Sequence, residues 1–163
     1  RDGWLQMETY KGAVVREFDP HYMWELSRIR YALELSAAED AVKNMTDQGL
    51  ERLRQIQAAQ REDLSNYNVD EFIRHDREFH SCIYEMSLNR ELMKLASNYY
   101  DVFRFLGMQA VMGTEERRLT TIEEHQDILE AMEQHNPKAA VQAMKKHMEQ
   151  TETNIRRHIK IAP

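Results

Sequence analysis

Residues 69–87 read VDEFIRHDREFHSCIYEMS. Val69, Phe72, Ile73, Phe79, Ile83 and Met86 recur at helical spacing, so the stretch is expected to be a helix with one apolar stripe against a core. Two polar residues share that stripe. Asp76 falls one turn after Phe72, and His80 one turn after Asp76, so both side chains leave the same face, close enough to grip one ion. An unpaired carboxylate is costly to bury, and an inward Asp76 needs a compensating charge or hydrogen-bond donors. A buried Asp76–His80 hydrogen bond meets that need as a cation would, and this helix alone leaves both readings open.

The whole chain narrows the setting. Its 163 residues suffice for one domain with a substantial core. Five Gly and three Pro are few beside the many Ala, Leu, Met, Glu, Gln and Arg, which favours helix over sheet. The single Cys82 excludes an internal disulfide framework and gives no argument for secretion. No apolar run reaches the length of a membrane span and no signal-peptide pattern opens the chain, so a soluble, cytoplasmic protein is expected. A net charge of −6 argues against these residues forming a broad nucleic-acid surface by themselves. The chain opens on Arg1 in mid-pattern without an initiator Met, as a fragment would.

Residues 1–18 are the only part that reads as strand. Trp4–Met7 and Ala13–Val15 are short β-favouring pieces around a polar turn containing Lys11 and Gly12. Asp19 and Pro20 then supply an N-cap and a proline for the first helical position. Six helices are expected from there. The first spans Pro20–Asn44, with Met23, Leu26, Arg30, Leu33, Ala37 and Ala41 on one face. Thr46 caps a second, to about Leu64, whose thin stripe of Leu50, Leu53 and Ile56 suits an outer position. Asn68 caps the third. Asn89 caps a fourth, to about Met112, with Leu92, Leu95, Tyr99, Val102 and Leu106 on one face, widened by Tyr100, Phe103 and Met108. The fifth, Thr114–Gln134, points Leu119, Ile122, Leu129 and Met132 inward. Asn136 and Pro137 open the sixth, with Ala140, Met144, Met148, Thr151 and Ile155 inward and an end near Ile161. Short connections predict an antiparallel all-α bundle.

The fifth helix carries His125 between Ile122 and Leu129, and the sixth carries His147 three residues after Met144. Three helices thus aim one Asp and three His at a common interior. Each would need its own partner, and one divalent cation would satisfy all four. Imidazoles with one carboxylate suit Zn first, and also Ni, Mn or Fe(II), better than Mg or Ca. His21, His75, His135 and His158 lie near helix ends or off these faces and read as solvated or structural, with His158 open to either reading.

Asp76-Arg-Glu-Phe-His80, followed by Ser87-Leu-Asn89-Arg-Glu-Leu92, resembles the D-x-x-F-H … N-x-x-L signature of the FCD domain. That domain is the effector-binding half of FadR-group transcription regulators in the GntR superfamily. Glu124-His125 through Ala131, with Ala139-Ala140 and Met144-Lys-Lys-His147-Met148, is similar to the family's second block, and Arg30-Tyr-Ala-Leu-Glu34 to its first helix. The resemblance covers about residues 19–160. Gly3-Trp-Leu and Tyr10-Lys-Gly12-Ala-Val-Val15 look like the wing hairpin that closes a winged-helix DNA-binding domain. The resemblance therefore implies two parts: a wing remnant at 1–18, most of its DNA-binding domain missing, and a helical metal- and effector-binding domain at 19–163.

The resemblance further implies that Asp76, His80, His125 and His147 hold one metal beside a cavity for a carboxylate-bearing metabolite. An anionic ligand also wants a cationic anchor. Arg30, on the first helix's apolar face, is the first candidate, against the equal reading of an ion pair with Glu34 one turn on. Arg104 is a second, on the flank of the fourth helix; Tyr99 and Tyr100 could line the cavity or be plain core; Asn89 reads as a helix cap. The expected function is an allosteric regulator, a homodimer that couples a small carboxylate or hydroxy-acid effector to operator binding. A mononuclear metalloenzyme and a helical interaction module with a structural metal are the alternatives. Against the enzyme, the chain has neither H-E-x-x-H nor the paired Glu-x-x-His of di-iron bundles.

Overall fold

The computed structural model describes residues 19–111 and 114–159, with Ile159 and the strand residues 5–8 and 12–15 as backbone only. β1 (Leu5–Glu8) pairs antiparallel with β2 (Gly12–Val15), Leu5 opposite Val15 and Glu8 opposite Gly12. Seven helices follow: α1 Pro20–Asn44, α2 Asp47–Ser65, α3 Val69–Met86, α4 Arg90–Asn98, α5 Tyr100–Val111, α6 Glu115–Glu133 and α7 Pro137–Ile159. The expected turn at Lys11, Trp4 at the start of the first strand, and the expected helix ends at Met112 and Ile161 lie outside the described residues.

Capping fixes most helix starts. Asp19 accepts a hydrogen bond from His21 N, Thr46 from Gly49 N, Asn68 from Glu71 N, Asn89 from Leu92 N, Thr114 from Arg117 N and Asn136 from Ala139 N. Two links are shortened by sharing residues. Tyr67 (φ 56°) and His135 (φ 51°) take the left-handed conformation that closes α2 and α6. The next residues, Asn68 and Asn136, donate their N–H back to Asp63 O and Ala131 O while capping the following helix. Leu88 (φ 55°) ends α3 in the same conformation. Tyr67 and Leu88 are consequently exposed despite their apolar character. Asn89→Ala is expected to cost about 1 kcal/mol in urea denaturation, since it strips the α4 cap.

The short links force neighbours to fold back. Arg52–Glu85, Gln60–Asp76 and Asp63–His75 pair in opposite order along α2 and α3, and Asp127–Lys146 with Glu124–His147 do so along α6 and α7. The main core joins Ala37, Ala38, Ala41, Leu53, Phe79, Ile83, Ile128, Met132, Met144 and Met148. Phe103, Leu106, Met23 and Ile155 form a second cluster, and Phe72, Ile73, Val111 and Ile122 a third.

Three expectations need correction. The fourth helix is two: the chain breaks at Tyr99 (φ −107°, ψ 16°), where its N–H bonds back to Ala96 O and Ser97 O. No Pro or Gly marks that break, and the apolar pattern runs through it. Leu95 and Tyr100 are exposed, as is Leu119 on α6, whose inward face is instead Thr121, Ile122, His125, Ile128, Leu129 and Met132. Finally, α2 packs against both α3 and α6, burying Gln57 and Gln60 beside its thin apolar stripe. Buried amides with partners extend an inward face that apolar counting alone cuts short.

Candidate metal centre and its cavity

The bundle brings His80 of α3, His125 of α6 and His147 of α7 together, all buried. One ligand nitrogen of each lies within 4.8 Å of the others. Their ring centroids are 5.4, 5.2 and 4.8 Å apart, and Phe79 stacks on His125 at 4.0 Å. Asp76 lies on the same face of α3 as His80, its Oδ1 3.6 Å from His125 Nε2, beside rather than within the compact three-histidine group.

Each ring is held from behind. His80 Nδ1 lies 2.9 Å from Glu34 Oε2, His147 Nδ1 2.9 Å from Glu124 Oε2, and His125 Nδ1 2.8 Å from Gln60 Oε1. Carboxylate and carbonyl oxygens only accept, so Nδ1–H donates in each ring, which in the neutral tautomer leaves the lone pair on Nε2. His80 Nε2 and His125 Nε2 are buried without a hydrogen-bond partner. Buried, partnerless lone pairs on converging imidazoles are the donor set a divalent transition metal wants, and the backing acceptors are the usual outer support of such a site.

Further partners hold those acceptors in turn. Glu34 accepts from Arg30 Nε at 3.3 Å, and Arg30 Nη1 reaches Phe103 O at 3.4 Å. Glu124 accepts from Arg117 at 3.0 Å, and Gln60 Nε2 donates to Asp76 Oδ1 at 3.4 Å. A Cβ added to Gly107 would stand 3.4 Å from Asp76 Oδ2 and 3.5 Å from Arg30 Nη1, so the bare backbone of α5 comes down over both. Burial would raise the Asp76 carboxyl, but His80, His125 and Arg30 bring it down to about 2. Burial likewise opposes ionisation of Glu34, yet His80 and Arg30 hold it at about 2. Burial, then the neighbouring imidazoles, push His125 and His147 well below the usual histidine value. Two ionised carboxylates and the neutral imidazoles of His125 and His147 suit a cation.

A cavity of about 170 Å³ adjoins the cluster, its wall including Glu34, Arg77, His80, Tyr84, Tyr100 and Phe103. Arg30 is not on this wall; it is committed to Glu34 and a backbone carbonyl. Arg104 lines a separate, larger groove that shares Arg77, Ser81 and Tyr100 with the cavity. Tyr99 stacks on Phe103 at 5.7 Å in the second core cluster. Asn89 caps α4. His75 pairs with Asp63, while exposed His21 faces Glu25. His135 and His158 are exposed. Sequence reasoning missed four functional candidates: Gln60, Glu124, Arg77 and Tyr84. Glu124 could have been sought beside His125, and Gln60 one turn after Ile56.

The family profile of the FCD domain matches residues 25–150, more than half of the chain. The chain belongs to the FCD domain family. Relatives of this FCD chain include the Uxu operon regulator of Haemophilus influenzae, 30% identical over 138 residues, 81% of this chain and 50% of that protein. The uncharacterized HTH-type transcriptional regulator YdhC of Bacillus subtilis is 26% identical over 148 residues, 90% of this chain and 66% of that protein. The chain thus spans about half to two thirds of the curated relatives it matches. Among solved structures, McbR/YncC of E. coli superposes with a TM-score of 0.81 at 21% identity, covering 94% of this chain and 77% of that one. The metal-free FCD domain of TM0439 gives 0.72 at 16% identity, covering 89% and 99%.

Proposed function

We propose that the chain is the effector-binding half of a transcription regulator. Asp76, His80, His125 and His147 hold one divalent transition metal, zinc first. The cavity beside it takes a small carboxylate or hydroxy-acid metabolite, and occupancy sets DNA binding by a homodimer in the cytoplasm. The reading treats residues 1–18, with β1 and β2, as the wing of a winged-helix reader and 19–163 as the domain that senses. A bound metal would supply a positive charge and open coordination positions for an anion. The observation that carries the reading is the set of buried imidazoles whose Nδ1 atoms are fixed by Glu34, Gln60 and Glu124, leaving Nε2 of His80 and His125 without partners. The enzyme reading gains nothing from the relatives, which are regulators by name. No helix of the described residues is long and apolar enough to cross a membrane.

Elemental analysis of the purified chain is the test. About one Zn, Ni, Mn or Fe per chain is expected, removable by EDTA with a fall in melting temperature, because an ion bound only to the folded state stabilises it. Absence of metal together with melting that ignores added Zn, Ni and Mn would overturn the proposal.

A further inference from the structure

The cavity wall holds two polar groups with hydrogen-bonding capacity to spare, Arg77 and Tyr84. Arg77 has its Nε buried without a hydrogen-bond partner, and its guanidinium sits over the Tyr100 ring at 3.8 Å. Among the described residues no carboxylate stands at ion-pair distance from it, although Arg30, Arg74 and Arg117 all have one. The Tyr84 hydroxyl is also buried with no partner at full hydrogen-bond geometry, although the Glu34 carboxylate is close enough to help push its ionisation up. Both residues face the cavity that His80 and Glu34 also line. A half-buried guanidinium that lines a cavity with its Nε unpartnered favours an acceptor with negative charge, and the phenol on the same wall adds one more donor.

We infer that Arg77 and Tyr84, one turn before and one turn after His80 on α3, form a second anion site on the cavity wall, so that the effector is a small dicarboxylate rather than a monocarboxylate. This rests on the reading of the cavity given under Proposed function. Charge supports it. Glu34 is matched by Arg30, Glu124 by Arg117, and Glu85, which also lines the cavity, by Arg52, while Asp76 offsets only one of the two charges of a divalent ion. With Arg77 unmatched, two positive charges remain around the cavity, and a dianion neutralises both. One carboxylate faces the metal. The other accepts from the Arg77 guanidinium and the Tyr84 hydroxyl, and Phe103 and Tyr100 flank the carbon chain between them.

Calorimetry on the zinc-loaded 163-residue chain tests this with malonate, succinate and glutarate against propionate, butyrate and valerate, the monocarboxylates of equal carbon number. At least one dicarboxylate is expected to bind 30-fold or more tighter than its partner, about the lower end for a buried charged contact. Arg77→Gln should erase that preference, Arg77→Lys should keep part of it, and Tyr84→Phe should weaken dicarboxylates alone. Zinc affinity, read by chelator competition, should be unchanged in all three. If Arg77→Gln fails to fold, the parent's preference and Tyr84→Phe decide. Equal binding of both acid series overturns the inference and leaves the metal-and-carboxylate reading standing, as does a preference that survives Arg77→Gln. Zinc binding with no acid of the panel overturns the inference as well. Failure to bind zinc at all overturns both.

Discussion

His125→Ala is expected to remove zinc binding, and with it the thermal stabilisation that zinc gives the parent. Ion at about one hundred times its dissociation constant contributes about 2.7 kcal/mol, which for a chain of this size is about 5–10 °C in melting temperature. The variant should melt at one temperature with or without the ion. His147→Ala should behave alike, because each removes one of three clustered nitrogens. Glu124→Gln, which leaves the ring but removes its charged acceptor, should weaken zinc about 10–100-fold. Competition with a chromophoric chelator measures all three. The metal-free protein adds a sign to check. The folded-state pKa values of His125 and His147 are depressed, so the unfolded chain binds more protons below about pH 6.5, and stability must fall with pH from there. A metal-free melting temperature that stays flat from pH 7 to pH 5 would contradict the burial of both rings.

Arg30→Ala is expected to be the most destabilising single change outside the cluster, at about 3–5 kcal/mol. The guanidinium is buried, donates to Glu34 and Phe103 O, and helps hold the Glu34 carboxyl at about 2. Deletion leaves that carboxylate buried with His80 as its remaining partner. Urea denaturation of the metal-free protein reads the loss. The double variant Arg30→Met with Glu34→Gln should recover part of it, since a neutral amide still accepts from His80 at less cost. A single Arg30→Ala variant as stable as the parent would show that His80 alone satisfies Glu34.

Much of the site was legible because burial imposes period. Asp76, His80, His125 and His147 each fall on an apolar stripe, and stripes converge in a bundle. The residues that hold those four were harder to see. Gln60 lies on a helix whose apolar stripe is thin, and a neutral amide carries no sequence signal of being inside. Arg77 follows Asp76 directly and reads as a surface cation until α4 and α5 close over it with Tyr100. The break at Tyr99 is invisible for a related reason. Leu92, Leu95, Tyr99, Val102 and Leu106 keep an unbroken helical period through it, and the backbone bonds that stop α4 involve no side chain. Periodicity reports which residues want to be inside. It does not report how many rods deliver them there.

Glu34 sits on α1, the helix that starts at Pro20, five residues after the last residue of β2. Its carboxylate ties that helix to His80, so any shift of the His80 ring bears on a rod whose first residue follows the hairpin in sequence. Fourteen residues of helix separate Pro20 from Glu34, about 21 Å at 1.5 Å per residue, and a tilt of about 5° about Glu34 displaces the rod's start by about 2 Å. The first helix thereby has the geometry of a lever arm pinned beside the metal pocket. A tilt of that size carries Met23 and Leu26 with it, and both are packed with Phe103 and Ile155 in the second core cluster.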